Sequence, residues 1–292
     1  MGKVRMRPLR DQVIVLTEAT TGIGRAIAHL ATERGAKVVL CSQNDDELRA
    51  LTEDIRQRGG EVSFAVLDVT RADDTRRLVD RALDAYGRID TWVNSSSRFL
   101  TGYLLDTKIE EEKNLFGANF WSTRLGSQAA VAAMKKSGGT IINLGLEASV
   151  ATGPLFGAYA ATKAAIREFT EALRSELRDR QIPVELCLVH PPALDVPEAN
   201  YSPEMTADAI LRVAETPERD VYVGGPAKFA AIIDTFFPEL KDLFIDARFK
   251  DMKEKPLAIE GPREGSALNI VKTITQTARR TLGGSRRKGQ EE

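Results

Sequence analysis

Tyr159 and Lys163 stand four residues apart in "YAATK", early in a segment with helical periodicity. Residues at that spacing share one face of a helix. An ammonium beside a phenol stabilises the phenolate and draws a tyrosine pKa from ~10 toward neutral pH. A tyrosine so placed can pass a proton to or from a substrate oxygen. Such pairs also occur on helix surfaces with no role, so the segments that precede this one decide between the two readings.

The stretch "LTEATTGIG", residues 16–24, follows the apolar run "VIVL" and opens a helical pattern. A strand, a glycine turn and a helix in that order bring backbone N–H groups at the helix N-terminus against a phosphate. Gly22 and Gly24 are in place. Glu18 stands where such turns carry their first glycine. It brings bulk and a negative charge toward a pyrophosphate site.

The elements that must hold these residues are legible as apolar runs at 12–16, 36–41, 62–69, 89–94, 139–145 and 184–190. They are short, rich in Val, Ile and Leu, and mostly unbroken, which suits parallel strands covered on both faces. Between them lie helical patterns: Ile23, Ile27 and Leu30 before Gly35; Leu48, Leu51 and Ile55 before "GG"; Leu78, Val79 and Leu83 before Gly87. The alternation predicts right-handed βαβ units and a doubly wound parallel sheet in one α/β domain, a Rossmann fold. Residues 114–138 read as one long helix, and 158–180 as another with Ala165, Ile166, Phe169, Leu173 and Leu177 inward. A short helix over 206–215 and a last strand at 221–225 follow.

The 292 residues suffice for one large domain, and the net charge of −1 gives no general case for nucleic acid or a membrane surface. Cys41 and Cys187 lie in strand-like runs and read as buried free thiols. With His29 and His190 the only histidines, no metal cluster is expected. No run approaches the ~18 apolar residues of a membrane span, and "MGKVRMRPLR" lacks the apolar core of a secretion signal, so a cytoplasmic protein is expected. The boundary falls at 249/250. Before it, "AKFAAIIDTFFPELKDLFIDARF" reads as a helix on the sheet edge or against a subunit, with a partner or membrane contact as the alternative. After it, 250–292 is a polar tail in which every charged residue from Lys272 to Lys288 is positive, fitting a solvated segment or an anionic-surface contact.

Taken together, "TGIG", "LDVT", "IDTWVN" and a "YAATK" placed after the strand "TIINLG" make the chain resemble the short-chain dehydrogenase/reductase family over about residues 10–245. The resemblance implies an NAD(P)-dependent oxidoreductase acting on a small carbonyl or alcohol, in which the tyrosine passes a proton to or from the substrate oxygen while a hydride moves at the neighbouring substrate carbon. It makes Tyr159, Lys163 and Asn119 the catalytic positions. Asn119, in "FGANFW", matches an asparagine that helps hold a water leading to the lysine, and Lys163 also reaches the nicotinamide ribose. The implied cofactor positions are Thr17, Thr20, Thr21, Gly22, Ile23 and Gly24 in the turn, and Ser42 and Gln43 after the second strand. They continue with Asp68 at the adenine, then Val69, Asn94, Ser95, Tyr159, Lys163, Pro191 and Leu194. Homo-oligomers, dimers or tetramers, are implied through the helices that carry Asn119 and Tyr159, and a mixed oligomer with an active relative is open.

Several positions depart from the family pattern. The Asn-Asn-Ala-Gly segment reads "NSSS", Asn94–Ser97. The catalytic serine, thirteen residues before the tyrosine, is Leu146. Losing such a donor costs about 2.7–4 kcal/mol of transition-state stabilisation; Glu147 and Ser149 are the nearby polar residues. Pro192 and Val196 replace a glycine and a threonine near the nicotinamide, leaving backbone groups at Leu194, and the lid segment "PEANYSPEM" is short. Ser42 and Gln43 supply neither the acid that selects NAD nor the arginine that selects NADP. The missing acid leans to NADP, and Glu18 leans to NAD. Two functions therefore stand: an NAD(P)-dependent oxidoreductase, or a catalytically impaired relative serving as a binding, regulatory or assembly subunit.

Overall fold

The structure is a computed structural model and describes residues 6–145, 155–191 and 202–224. Among these, seven strands form one sheet: β1 (Val13–Leu16), β2 (Lys37–Ser42), β3 (Val62–Val66), β4 (Thr91–Asn94), β5 (Gly139–Leu144), β6 (Val184–His190) and β7 (Asp220–Tyr222). Their spatial order is β3-β2-β1-β4-β5-β6-β7, and every neighbouring pair is parallel. The helices are α1 (Gly22–Glu33), α2 (Asp45–Gln57), α3 (Ala72–Tyr86), α4 (Ile109–Phe116), α5 (Ser122–Met134), α6 (Gly157–Asp179) and α7 (Pro203–Glu215).

The doubly wound arrangement follows from strands that are apolar on both faces. All four residues of β1 are buried. Ile14 and Leu16 face one core with Ile27, Leu48 and Ile210. Val13 and Val15 face the other with Leu78, Trp92 and Ile141. That two-residue alternation is the pleat itself, and it requires helices on each side. β1 lies between β2 and β4, so the winding reverses there. A crevice opens beyond the carboxyl ends of strands at such a switch point, which is where open α/β sheets bind ligands.

Two sequence expectations need correction. The segment expected as one uniform helix over 114–138 is α4, a single π-wound turn at Gly117–Trp121, and then α5, which ends at Met134. The apolar stripe expected on α6 holds at Ile166 and Leu177, whereas Ala165, Phe169 and Leu173 are only half-buried. The buried stripe instead includes Tyr159, Thr162, Lys163, Thr170 and Arg174. It is polar because β5 and β6 offer polar partners: Asn143 donates to Thr170 Oγ1 at 3.0 Å, and Arg174 Nε donates to the Leu186 carbonyl at 2.7 Å. Cys41 and Cys187 are buried and free. Among the described residues no helix is long and apolar enough to cross a membrane. The expected helix after 225 and the 250–292 tail lie outside the described residues.

Candidate active site

The Tyr159 and Lys163 pair lies near the start of α6. Tyr159 and Lys163 are each 1% exposed. Lys163 Nζ donates to the Leu144 carbonyl at 3.3 Å, which ties it to the carboxyl end of β5. It also lies 5.7 Å from the centre of the Tyr159 ring. The Tyr159 hydroxyl shares a hydrogen bond with Ser97 Oγ at 3.2 Å. Phe99 packs on the tyrosine ring with centroids 4.2 Å apart, and Phe156 meets Phe99 edge-on at 5.7 Å.

The segment after β4 that brings Ser97 and Phe99 to Tyr159 is held by Asn119. This residue sits in the π turn and is fully buried. Its Oδ1 accepts from the Arg98 N–H at 2.6 Å, and its Nδ2 donates to the Arg98 carbonyl at 2.9 Å and to Thr162 Oγ1 at 3.1 Å. A π turn inserts one residue into a helix and re-aims the side chains around it, a device often found at functional sites. The main-chain carbonyl of Asn119 is taken by Thr123 Oγ1 at 2.7 Å.

On the other side of the crevice, the glycine turn runs from β1 into α1 through Glu18. Glu18 adopts φ 50°, the left-handed conformation that a glycine takes without strain. Its carbonyl accepts from Thr21 Oγ1 at 3.0 Å, and the Ala19 N–H donates to the Cys41 carbonyl at 2.9 Å. Thr21 caps α1, accepting from the Gly24 N–H at 3.3 Å. Gly24 is required sterically, because a Cβ there would lie 2.5 Å from the Glu18 carbonyl oxygen. Ile23 packs half-buried against the core. α1 carries no acidic residue in its first turn, unlike α2, α3 and α4.

Several of the remaining predicted cofactor positions are joined to this turn or to one another by hydrogen bonds. Thr20 Oγ1 and Ser42 Oγ share a hydrogen bond at 2.9 Å. Gln43 donates to Asp68 Oδ1 at 3.1 Å, and that oxygen also accepts from the Thr70 N–H and hydroxyl at 2.9 and 2.7 Å. Val69 and Pro191 are buried, and Leu194 lies outside the described residues, as do Leu146, Glu147, Ser149 and Val196. Asn94 is occupied structurally: it accepts from Trp92 Nε1 at 2.8 Å and donates to Asn143 Oδ1 at 2.8 Å and Ser127 Oγ at 3.0 Å. The Ser95 N–H donates to Thr17 Oγ1 at 3.1 Å, joining the glycine turn to the segment that carries Ser97.

The electrostatics of this half centre on Glu18. Burial pushes its carboxyl above the usual range; the Asp68 charge pushes it further, and the Arg98 charge opposes both. Cys41 is likewise pushed up by burial, with the Glu18 charge adding to it, so this thiol is inert as a nucleophile.

The residues present fit a dinucleotide. The first turn of α1 carries no acid to repel a phosphate at its N-terminus. Ser95 is 2% exposed, and its hydroxyl has no hydrogen-bond partner among the described residues. A buried hydroxyl left without a partner costs free energy and suits a polar ligand atom.

Sequence reasoning missed Ser97, Arg98, Phe99 and Thr162 as neighbours of the pair and of Asn119. The available signal was a hydroxyl at the last position of "NSSS", followed by an aromatic two residues on.

Comparison with known proteins bears on this geometry. Residues 12–206 match the family model described as short chain dehydrogenase. An uncharacterized oxidoreductase of Bacillus subtilis, YxnA, is 35% identical over 287 residues, covering 91% of this chain and 80% of that protein. A metagenomic short-chain oxidoreductase solved in complex with NADP superposes with a TM-score of 0.65 at 29% identity, covering 74% of this chain and 98% of its own. A short chain dehydrogenase/reductase from Burkholderia phymatum, solved with NAD, shares the fold with a TM-score of 0.72 at 20% identity, covering 89% and 100%.

Proposed function

The chain belongs to the short-chain dehydrogenase family, and from that premise we propose an NAD(P)-dependent oxidoreductase that acts on a small carbonyl or alcohol at Tyr159. One observation carries the reading. A buried phenol and a buried ammonium lie side by side on α6, with the ammonium tied to β5 and the phenol hydroxyl in contact with an exposed residue, Ser97. An ammonium kept out of water at this distance favours the phenolate over the phenol. That is what a tyrosine needs in order to move a proton near neutral pH.

In this reading the N–H groups of Gly22 and Ile23 would hold the pyrophosphate, and Thr20 and Ser42 would meet the adenosine ribose. Gln43 and Asp68 edge the adenine, and Lys163 holds the nicotinamide ribose. When bound, the nicotinamide gives or takes the hydride at the substrate carbon. Tyr159 gives its proton to the substrate oxygen in reduction and recovers it in oxidation, and Lys163 stabilises the phenolate between. Phe99, Leu100 and Phe156 form an apolar cluster with Tyr159, which favours a carbonyl with an apolar substituent. NADP is supported by the relative solved with it, and the missing acid after β2 agrees. Oligomerisation through the face of α4 and the π turn is supported by exposed Ile109 and Trp121.

The test is turnover of NADPH or NADH over a panel of ketones and aldehydes, and of the oxidised cofactors over alcohols, with calorimetry of all four nucleotides. The reading expects tight binding of at least one nucleotide, and turnover that Tyr159→Phe abolishes. Leu146, where the family's serine stands, favours the second reading of a non-catalytic binding or assembly subunit. Absent turnover and unchanged behaviour of Tyr159→Phe select that reading.

A further inference from the structure

We propose that Ser97 supplies the second hydroxyl of this active site, donating to the substrate oxygen beside Tyr159; the assignment rests on the oxidoreductase reading above. Residue 146 is leucine and brings no hydrogen-bonding side chain. Ser97 brings a hydroxyl 3.2 Å from the Tyr159 hydroxyl at a position where the family pattern has glycine.

The geometry suits a shared acceptor. An oxygen about 2.8 Å from each of two hydroxyls this far apart completes a nearly equilateral triangle and accepts from both. Ser97 is exposed while Tyr159 is 1% exposed, so the serine stands between solvent and the phenol. A substrate reaching Tyr159 from that side passes its hydroxyl. The position is braced: Asn119 holds both polar groups of the Arg98 backbone, and Thr17 holds the Ser95 N–H. A donor fixed before the reaction stabilises developing charge without reorganising. Ser97 forms no covalent bond and keeps its proton. The proton delivered to the oxygen comes from Tyr159, and the serine stabilises the negative charge that builds there and then on the phenolate.

Five variants of the full chain test this: Ser97→Ala, Ser97→Gly, Ser97→Thr, Ser149→Ala and Tyr159→Phe. On the ketone and aldehyde panel with NADPH and NADH, Ser97→Ala and Ser97→Gly lower kcat by about a hundredfold, with nucleotide affinity by calorimetry unchanged. Ser97→Gly is the sharper case, because it restores the family's residue and still loses activity. Ser97→Thr keeps the hydroxyl and recovers most of the rate. A second readout needs no turnover. Ultraviolet difference titration against Tyr159→Phe isolates one tyrosine of the five in the chain. That tyrosine ionises at higher pH in Ser97→Ala, because a donor to the phenolate is gone. The assignment is overturned if Ser97→Ala turns over within twofold of the parent while Tyr159→Phe is dead, or if Ser149→Ala alone produces the loss. A parent chain inert toward the whole panel overturns the oxidoreductase reading and this assignment together.

Discussion

The side-chain amide of Asn119 closes a two-way pair with the backbone of Arg98, accepting at 2.6 Å and donating at 2.9 Å. It is the pairing one strand offers another, made here by a side chain inside a helix. The π turn around Asn119 aims the amide away from its own helix and toward the segment that follows β4. That segment carries Ser97 and Phe99 onto Tyr159. Helix winding at 117–121 thus controls what surrounds a tyrosine near the start of another helix.

Asn119→Leu keeps the volume and removes the pairing. Thr162 Oγ1 loses a buried donor, while the polar groups of exposed Arg98 retain access to water. The expected loss is about 1–3 kcal/mol, toward the lower end for that reason. Hydrogen exchange should rise selectively over residues 95–100, because the segment loses the contact that orders it. A uniform rise across the sheet would show instead that Asn119 supports the fold as a whole.

The sheet was legible in the sequence because its physics is local. Each strand is an apolar run, each turn carries a glycine or polar break, and the alternation admits one winding. The glycine turn was legible for the same reason, since Thr21 and Gly24 act within a few residues of each other. What surrounds Tyr159 was not. Ser97 and Tyr159 are 62 residues apart in sequence, and Asn119 meets Arg98 across 21. No periodicity encodes such contacts. The π turn was hidden too, because one inserted residue leaves helical spacing almost intact over 114–134. The polar stripe of α6 was missed because its partners, Asn143 and the Leu186 carbonyl, belong to strands read only as apolar.

Gly126 on α5 is where the Asn94 network meets a helix. A Cβ there would lie 2.2 Å from Asn94 Oδ1 and 3.0 Å from Trp92 Nε1. Neither group can retreat, since both are buried and bonded to each other. Gly126→Ala should destabilise by about 1–3 kcal/mol despite the better helix propensity of alanine. Denaturant unfolding reads this as a lower midpoint with an unchanged slope.

Glu18→Gly places the permissive residue where φ is 50°. A side chain in the left-handed region costs about 1–2 kcal/mol, part of which glycine returns as unfolded-state freedom. A net gain of about 0.5–1 kcal/mol is expected. The same change removes a carboxylate from the phosphate turn. NADP, with its extra phosphate, should gain more affinity than NAD by calorimetry. Equal gains for both nucleotides would place the carboxylate's influence away from the ribose.

Glu18→Gln isolates charge from backbone, and its effect has a defined pH course. Burial raises the Glu18 carboxyl above its ordinary value of 4.5, with the charge of Asp68 adding and that of Arg98 opposing. Over the interval from that value up to the raised one, the folded chain holds a proton that the unfolded chain has lost. Unfolding then releases a proton, so stability falls as pH rises through the interval. Glutamine has no such dependence. Thermal melts of the two proteins should therefore be closest in acid. They should separate in favour of Glu18→Gln as pH rises through the interval, and run parallel above it. Arg98→Gln in the parent chain should widen the gap, since it removes the charge that favours the carboxylate. Melts that run parallel from acid to neutral pH would mean that the carboxyl is solvated in the folded chain. The phosphate turn would then tolerate Glu18 by turning it outward rather than by desolvating it.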